Sequence, residues 1–138
     1  MIVIDTSALI AIFRLEDEAD LFLTTIVEAE ERCFSALSLL KASMVISGRG
    51  GSEAAFEPLD EFLTEAGIKI VPFDADQARI ARDAFLLFGK GRHKAALNLG
   101  DCVSYALAKS RDAPLLFKGG DFSLTDIKPA AAPPVSPP

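Results

Sequence analysis

The chain has few of the residues on which several kinds of site depend. Among its 138 residues there are one histidine and two cysteines. His93 alone cannot supply histidine-paired catalysis or a metal site built from several histidines. Cys33 and Cys102 show no motif spacing, so we expect reduced thiols of a cytoplasmic protein, with a disulfide as the alternative.

Long apolar runs are also missing. No stretch reaches the roughly 18 uninterrupted apolar residues of a membrane helix. The first residues are apolar and lack the basic segment of a signal peptide. From the sequence we therefore expect no association with a membrane.

Positive charge is scarce, because 14 lysines and arginines face 20 acidic residues and the net charge is -6. This balance argues against nonspecific binding of nucleic acid by the whole surface. It leaves room for a local site or a basic partner protein. The one dense basic segment, residues 89–94, could contact RNA phosphates or could be an ordinary exposed loop.

Half of the residues are hydrophobic, which at this length predicts one globular domain. Apolar segments of strand type are separated by segments of helical periodicity, a pattern typical of an α/β fold with a largely parallel sheet and helices on both faces. The predicted strands are 1–5, 68–73 and 115–117, with a possible edge strand at Ile127. The predicted helices are 7–14, 17–32, 38–47, 52–67, 74–88 and 99–111.

Three aspartates stand at the ends of these predicted elements. Asp5 closes the first strand, Asp101 opens the helix over 99–111, and Asp121 follows the strand over 115–117. The carboxyl ends of strands in open α/β sheets are where ligands bind. Separated carboxylates that meet at such an edge suggest a site for a hard cation such as Mg²⁺.

Each aspartate also has a purely structural interpretation. Asp5 could cap a helix, Asp101 could be a first-turn residue favoured by the helix dipole, and Asp121 could form a turn. Thr6 and Ser7 could orient Asp5 or a metal-bound water, or could cap the first helix. These alternatives stay open on spacing alone.

Four motifs carry a resemblance to a known family. They are Ile-Asp-Thr-Ser-Ala-Leu at 4–9, Ser-Ala-Leu-Ser-Leu-Leu at 35–40, Leu-Gly-Asp-Cys-Val-Ser-Tyr-Ala-Leu-Ala at 99–108 and Leu-Leu-Phe-Lys-Gly-Gly-Asp-Phe-Ser-Leu-Thr-Asp-Ile at 115–127. In this order the chain resembles the PIN-domain ribonucleases, and most of all the VapC toxins of bacterial type II toxin–antitoxin systems.

The resemblance implies a PIN domain over residues 1–128, followed by a Pro/Ala-rich tail over 129–138. It implies a three-layer fold with a mostly parallel central sheet, and endoribonuclease chemistry that depends on Mg²⁺ or Mn²⁺. It also implies a homodimer, an RNA substrate and neutralisation by a VapB-type antitoxin.

The family pattern has four acidic positions, and this chain departs from it at one of them. Asp5, Asp101 and Asp121 match the first, third and fourth positions. Lys41 stands where the resemblance implies glutamate, so a cation replaces an anion in the expected metal site. We therefore predict that Lys41 lies in or beside the aspartate cluster and weakens metal binding.

Three function classes follow. The first is a metal-dependent endoribonuclease toxin. The second is an inactive PIN module that only binds antitoxin or RNA, because Lys41 has disabled the metal site. The third is a phospho-receiver or phosphoryl-transfer domain, which predicts an acidic pair near the first strand, where this chain has Asp5-Thr6-Ser7 instead.

Overall fold

A four-stranded sheet forms the centre of the computed structural model, which describes residues 1–48 and 51–131. The strands are β1 (Ile2–Ile4), β2 (Arg32–Ser35), β3 (Ile68–Val71) and β4 (Leu115–Leu116). Their order is β3-β2-β1-β4, and every neighbouring pair is parallel. Parallel neighbours require crossover connections, and helices supply them.

In the part of the chain that the structure describes, six α-helices flank the sheet, which confirms the predicted α/β class. They are α1 (Thr6–Phe13), α2 (Ala19–Glu28), α3 (Ala36–Ser47), α4 (Glu57–Glu65), α5 (Ala75–Phe88) and α6 (Leu99–Arg111). Within the described residues no helix is long and apolar enough to cross a membrane.

Alternate residues of each strand enter two separate cores. Ile2 and Ile4 of β1 pack with α1 to α4 on one face of the sheet, whereas Val3 packs with α5 and α6 on the other. All three side chains are at most 7% exposed. Since successive side chains of a strand point to opposite faces, two cores with one shared sheet give the three layers that the sequence predicted.

The second strand was missed by the sequence analysis. A helix was predicted over 17–32, but α2 ends at Glu28 and Arg32–Ser35 forms β2 next to β1. The strand has only two buried apolar residues, Cys33 and Phe34, which is too short a pattern to separate from helical periodicity.

Smaller differences concern the ends of elements. The helix predicted over 52–67 begins later, because a 3₁₀ turn over Glu53–Phe56 precedes α4, and Ser52 makes no side-chain cap bond within the described residues. The helix predicted over 74–88 forms as α5, in which Gln77 and Ala84 are buried, whereas Ala78 and Phe85 are exposed.

The chain beyond β4 also differs from expectation. The expected edge strand at Ile127 is replaced by a single parallel bridge between Leu115 and Pro129. The Leu115 N–H donates to the Lys128 carbonyl, and the Ala130 N–H donates to the Leu115 carbonyl. The part of the predicted tail from residue 132 onward, and residues 49–50 between the predicted helices over 38–47 and 52–67, lie outside the described residues.

Candidate active site

Asp5 lies at the end of the central strand, where β1 passes into α1. Its side chain is 5% exposed. One carboxylate oxygen, Oδ2, accepts a hydrogen bond from the Ser7 N–H at 3.0 Å, so Asp5 caps α1. The other oxygen, Oδ1, accepts from the Ser104 hydroxyl at 2.5 Å. Both oxygens are therefore fixed, and the capping and site interpretations of Asp5 are compatible.

Asp101 lines the same pocket as Asp5, from the first turn of α6. It forms a capping box with Asn98, in which each side chain accepts from the other residue's N–H. Burial raises the pKa of Asp101 above its usual value, and the nearby charge of Asp5 raises it further. The Asn98 hydrogen bond and the charge of Lys41 oppose this rise without cancelling it. A carboxylate held in this state favours a nearby cation.

Lys41 lines this pocket too. It lies on α3, and its side chain runs against Gly100 of α6. A Cβ at position 100 would stand 2.5 Å from the lysine Nζ and 2.9 Å from its Cδ. Among the ion pairs of the described residues, none involves Lys41.

Two buried serines lie behind the charged residues and were not predicted. Ser38 and Ser104 are 3% and 1% exposed, and their hydroxyls are 3.5 Å apart. Ser38 precedes Lys41 by three positions on α3, and Ser104 follows Asp101 by three on α6. Such a spacing places both residues of a pair on one helix face. A serine in the buried apolar run of α6 was the available signal, because a buried hydroxyl needs a partner.

Thr6 and Ser7 join the site to its surroundings. The Thr6 hydroxyl donates to the Ser38 carbonyl at 3.1 Å, which ties α1 to α3. Ser7 orients Asp5 through its backbone, while its hydroxyl accepts from the Lys118 N–H at 3.0 Å. The Lys118 ammonium is occupied by Glu16 and Glu18, and the Glu16 bond raises the pKa of Lys118.

Asp121 lies nearby but is exposed and is not part of the pocket lining. Its charge contributes to the raised pKa of Asp101, so the three aspartates are electrostatic neighbours. In residues 1–48 and 51–131 there is no group of three or more His, Cys, Asp or Glu side chains that could hold a metal ion. The pocket lining thus contains three carboxylates, Asp5, Glu16 and Asp101, and two ammonium groups, Lys41 and Lys118.

The residues present fit one modest type of cation site. Mg²⁺ is often bound through one or two carboxylates, with waters and substrate phosphates completing its shell. Asp5 and Asp101 meet that requirement, and a cation beside them would offset the burial and the charge of Asp5 that raise the pKa of Asp101. Lys41 supplies part of that positive charge already.

The basic segment 89–94 is folded partly onto the protein. The Arg92 guanidinium stacks 5.5 Å from the centre of the Phe85 ring. His93 Nδ1 accepts from the Ala95 N–H at 3.0 Å, which is a structural role. Lys90, Arg92 and Lys94 remain exposed, so contact with RNA stays a prediction.

A second aspartate–lysine pair lies at the other end of α6. Asp126 accepts from the Tyr105 hydroxyl at 2.7 Å and pairs with Lys109 Nζ at 2.7 Å. Burial pushes the pKa of Asp126 upward, but the hydrogen bonds from Lys109 and Tyr105 outweigh it and hold the pKa below its usual value.

Comparison with known proteins identifies the family. The PIN domain family model matches residues 2–128. A ribonuclease VapC of Mycolicibacterium smegmatis is 49% identical over 125 residues, covering 91% of this chain and 96% of the relative. The chain belongs to the VapC ribonucleases of the PIN domain family. Ribonuclease VapC30 of Mycobacterium tuberculosis is another VapC relative, 47% identical over 95% of this chain and 99% of its own length.

Solved structures share the VapC fold. VapBC2 from Rickettsia felis, bound to a DNA fragment from its promoter, matches with a TM-score of 0.72 at 17% identity, covering 93% of this chain and 96% of that one. The Mycobacterium tuberculosis toxin VapC20, which cleaves the sarcin–ricin loop, matches with a TM-score of 0.70 at 17% identity, covering 94% of this chain and all of the other.

Proposed function

We propose that this chain is the toxin of a type II toxin–antitoxin pair and an endoribonuclease that hydrolyses RNA phosphodiester bonds. The observation that carries the proposal is the meeting of Asp5 and Asp101 in one pocket, at the carboxyl edge of a parallel sheet in a VapC chain. The substrate class comes from the relatives, which are named ribonucleases.

Asp5 and Asp101 would hold a divalent ion, Mg²⁺ or Mn²⁺, with Asp121 as a third acid at the rim. A bound ion of this kind lowers the pKa of a coordinated water and offsets the charge of a phosphodiester. Asp5 would enter such a site with its carboxylate already fixed by Ser7 and Ser104. Asp101 would contribute a carboxylate whose ionised state gains stability from the ion's charge.

The partner that we propose is a VapB-type antitoxin. Its support is the solved VapBC2 complex, and also a Klebsiella pneumoniae toxin–antitoxin complex that matches with a TM-score of 0.65 at 17% identity, covering 89% of this chain and 91% of that one. An arginine of the antitoxin would suit the pocket, because its guanidinium can bind two carboxylate oxygens at once. The sites of action would be in the cytoplasm, where RNA is available.

A homodimer is part of the same proposal. The α3 helix and the start of α6 present large apolar side chains to solvent, which mark an interaction surface when they are contiguous. A groove between these helices is lined by Ser38, Lys41, Asn98 and Gly100 together with the apolar residues Leu37, Leu40, Met44, Val45, Leu99 and Val103. Light scattering of the purified chain measures the mass directly.

Lys41 favours a second candidate function, an inactive module that binds antitoxin or RNA without cleaving it. At about 4 Å, two unit charges interact by roughly 4 kcal/mol at an effective dielectric constant near 20. A lysine in the pocket therefore opposes a divalent ion strongly enough to reduce its occupancy. The two candidates differ in the rate of cleavage that the chain reaches with saturating metal.

The test is cleavage of a defined RNA pool by the chain, by Asp5→Asn and by Lys41→Glu, with Mn²⁺ or with EDTA. The toxin proposal expects cleavage that needs metal and is lost in Asp5→Asn. Cleavage only in Lys41→Glu would favour the inactive module. Cleavage in none of them, with every variant folded, would refute the nuclease proposal. Asp126→Asn is the matched control, since Asp126 lies at the other end of α6.

A further inference from the structure

Lys41 carries the one ammonium of the pocket that has no acidic partner within the described residues. The other pocket lysine, Lys118, is held by Glu16 and Glu18. Lys41 lies close enough to lower the pKa of Asp101 by its charge, yet forms no ion pair with it. Its three N–H donors are therefore available to a ligand.

Gly100 provides the space that this side chain occupies. The Nζ, Cδ and Cε atoms of Lys41 lie 2.5, 2.9 and 3.2 Å from the point where a Cβ of residue 100 would stand. Real Cβ atoms essentially never approach another atom as closely as the 2.5 and 2.9 Å found here, so an alanine at this position would displace the lysine side chain. Gly100 directly precedes Asp101 in α6. The Lys41 ammonium therefore lies against the same helical turn that carries the Asp101 carboxylate.

We infer that Lys41 is a built-in phosphate-binding residue, which contacts a non-bridging oxygen of an RNA phosphodiester, and that Gly100 admits it to the pocket. This inference rests on the proposed function for the identity of the ligand as RNA. An ammonium is a compact charge that binds phosphate well without bidentate geometry. Lys41 places such a charge beside Asp5 and Asp101, whose carboxylates would otherwise repel the phosphates of RNA.

The inference has a consequence that metal-dependent cleavage does not share. If the cation is part of the chain, binding of RNA needs no divalent ion. Each phosphate contact by a lysine adds about 0.7 to the slope of log affinity against log salt for a single strand. Removal of the Lys41 charge should remove one such contact.

The experiment measures binding of a fluorescently labelled single-stranded oligouridine by anisotropy, in EDTA and over a series of salt concentrations. The chain is compared with Lys41→Gln, Lys41→Arg and the control Lys69→Gln, whose lysine is exposed on edge strand β3. We expect about tenfold weaker binding at low salt for Lys41→Gln, the size of one charge-assisted hydrogen bond. We expect a salt slope smaller by about 0.7, and partial recovery by Lys41→Arg.

A double-mutant cycle tests the role of Gly100. Gly100→Ala should weaken binding in the presence of Lys41 and have no effect in a Lys41→Ala background, where no long side chain remains to be displaced. Alanine is a better helix former than glycine, so loss of the fold is not expected. Equal effects of Gly100→Ala in both backgrounds would overturn its assigned role.

The outcomes separate this inference from the proposed function. Metal-independent binding with the expected loss in Lys41→Gln, but no cleavage with Mn²⁺, would refute the nuclease and keep the phosphate site. Cleavage by the chain, together with equal binding by Lys41→Gln and Lys69→Gln, would keep the nuclease and overturn the phosphate site. Absence of any binding in EDTA would also overturn it.

Discussion

The two ends of α6 each place an aspartate beside a lysine, with opposite results. At the C-terminal end, Asp126 is paired directly with Lys109 and hydrogen-bonded by Tyr105, and its pKa lies below the usual value. At the N-terminal end, Asp101 has Lys41 nearby without an ion pair, and its pKa lies above the usual value.

Asp126 therefore has a carboxylate whose charge is balanced within the fold, whereas the charge of Asp101 is not fully balanced. Asp126 has its partners within the fold, so a further cation would gain little there. Burial and the charge of Asp5 raise the pKa of Asp101, so an added cation would stabilise its ionised carboxylate. Perturbed carboxylates of the second kind cluster at functional sites, because their free energy changes most when a ligand arrives.

The largest contrast is expected from removing each charge. Asp101→Asn should reduce metal-dependent cleavage by more than about 100-fold, beyond the usual effect of losing an outer-shell partner. Asp126→Asn should change the rate by no more than about twofold, which corresponds to less than 0.5 kcal/mol. Asp101→Asn and Asp126→Asn are each introduced into the unaltered chain and into Lys41→Glu, and initial rates of cleavage are measured. Equal losses in the two variants would show that the ends of α6 do not differ in function.

The buried serine behind the site should matter next. Ser104→Ala removes the hydroxyl that donates to Asp5 and should weaken Mn²⁺ binding by about 10–100-fold, measured by calorimetry. Ser110→Ala is the control on the same helix, because the Ser110 hydroxyl donates to the Leu107 carbonyl of its own helix. If both variants bind Mn²⁺ as the chain does, Ser104 does not position Asp5 for metal.

Charge reversal of the two lysines sharpens the comparison further. Lys41→Glu should raise the affinity for Mn²⁺ by about tenfold or more, since even one unit of charge in water at 4 Å contributes about 1 kcal/mol and the pocket is less polar. Lys109→Glu should leave it unchanged. Titrations of both variants measure this, and tight binding already present in the unaltered chain would contradict the prediction.

The smallest expected effect is on stability against pH. The lowered pKa of Asp126 means that its pair stabilises the fold above about pH 3.8 and that this contribution is lost as pH falls through the folded-state pKa. Both partners are more than one third exposed, so the contribution should be below about 1 kcal/mol.

Ionisation of Asp101 should change the stability of the fold in the opposite direction to that of Asp126. The raised pKa of Asp101 means that ionisation destabilises the fold, so the penalty is absent below pH 3.8 and grows as pH rises through the folded-state pKa. Urea unfolding between pH 3 and 7 should therefore show Asp101→Asn gaining stability over the chain as pH rises, and Asp126→Asn losing it. A parallel change in both would contradict the assigned pKa directions.

The sequence predicts elements where one strong pattern covers the whole element. The helix over 99–111 matches α6 at both ends, because Asn98 and Asp101 form a capping box before a long apolar face. Prediction from the sequence fails at β2, because only Cys33 and Phe34 carry the apolar pattern there. Pairing with β1 decides the structure of this segment.

The site shows the same division. Asp5 and Asp101 could be predicted because each stands in a motif at an element end, and Lys41 because the family resemblance implies glutamate at its position in α3. Ser104 could not, because its importance depends on facing Asp5 across the domain. Likewise, the spacing does not reveal that Asp121 lies outside the pocket lining.

The hydrogen bond between Asp5 and Ser104 joins residues 99 positions apart in the chain. During synthesis, the first strand leaves the ribosome long before α6 exists. The growing polypeptide therefore lacks half of its pocket until almost all of it has been translated. The order of the chain thus delays formation of the pocket, and an antitoxin that binds the folded pocket has its target only from that moment.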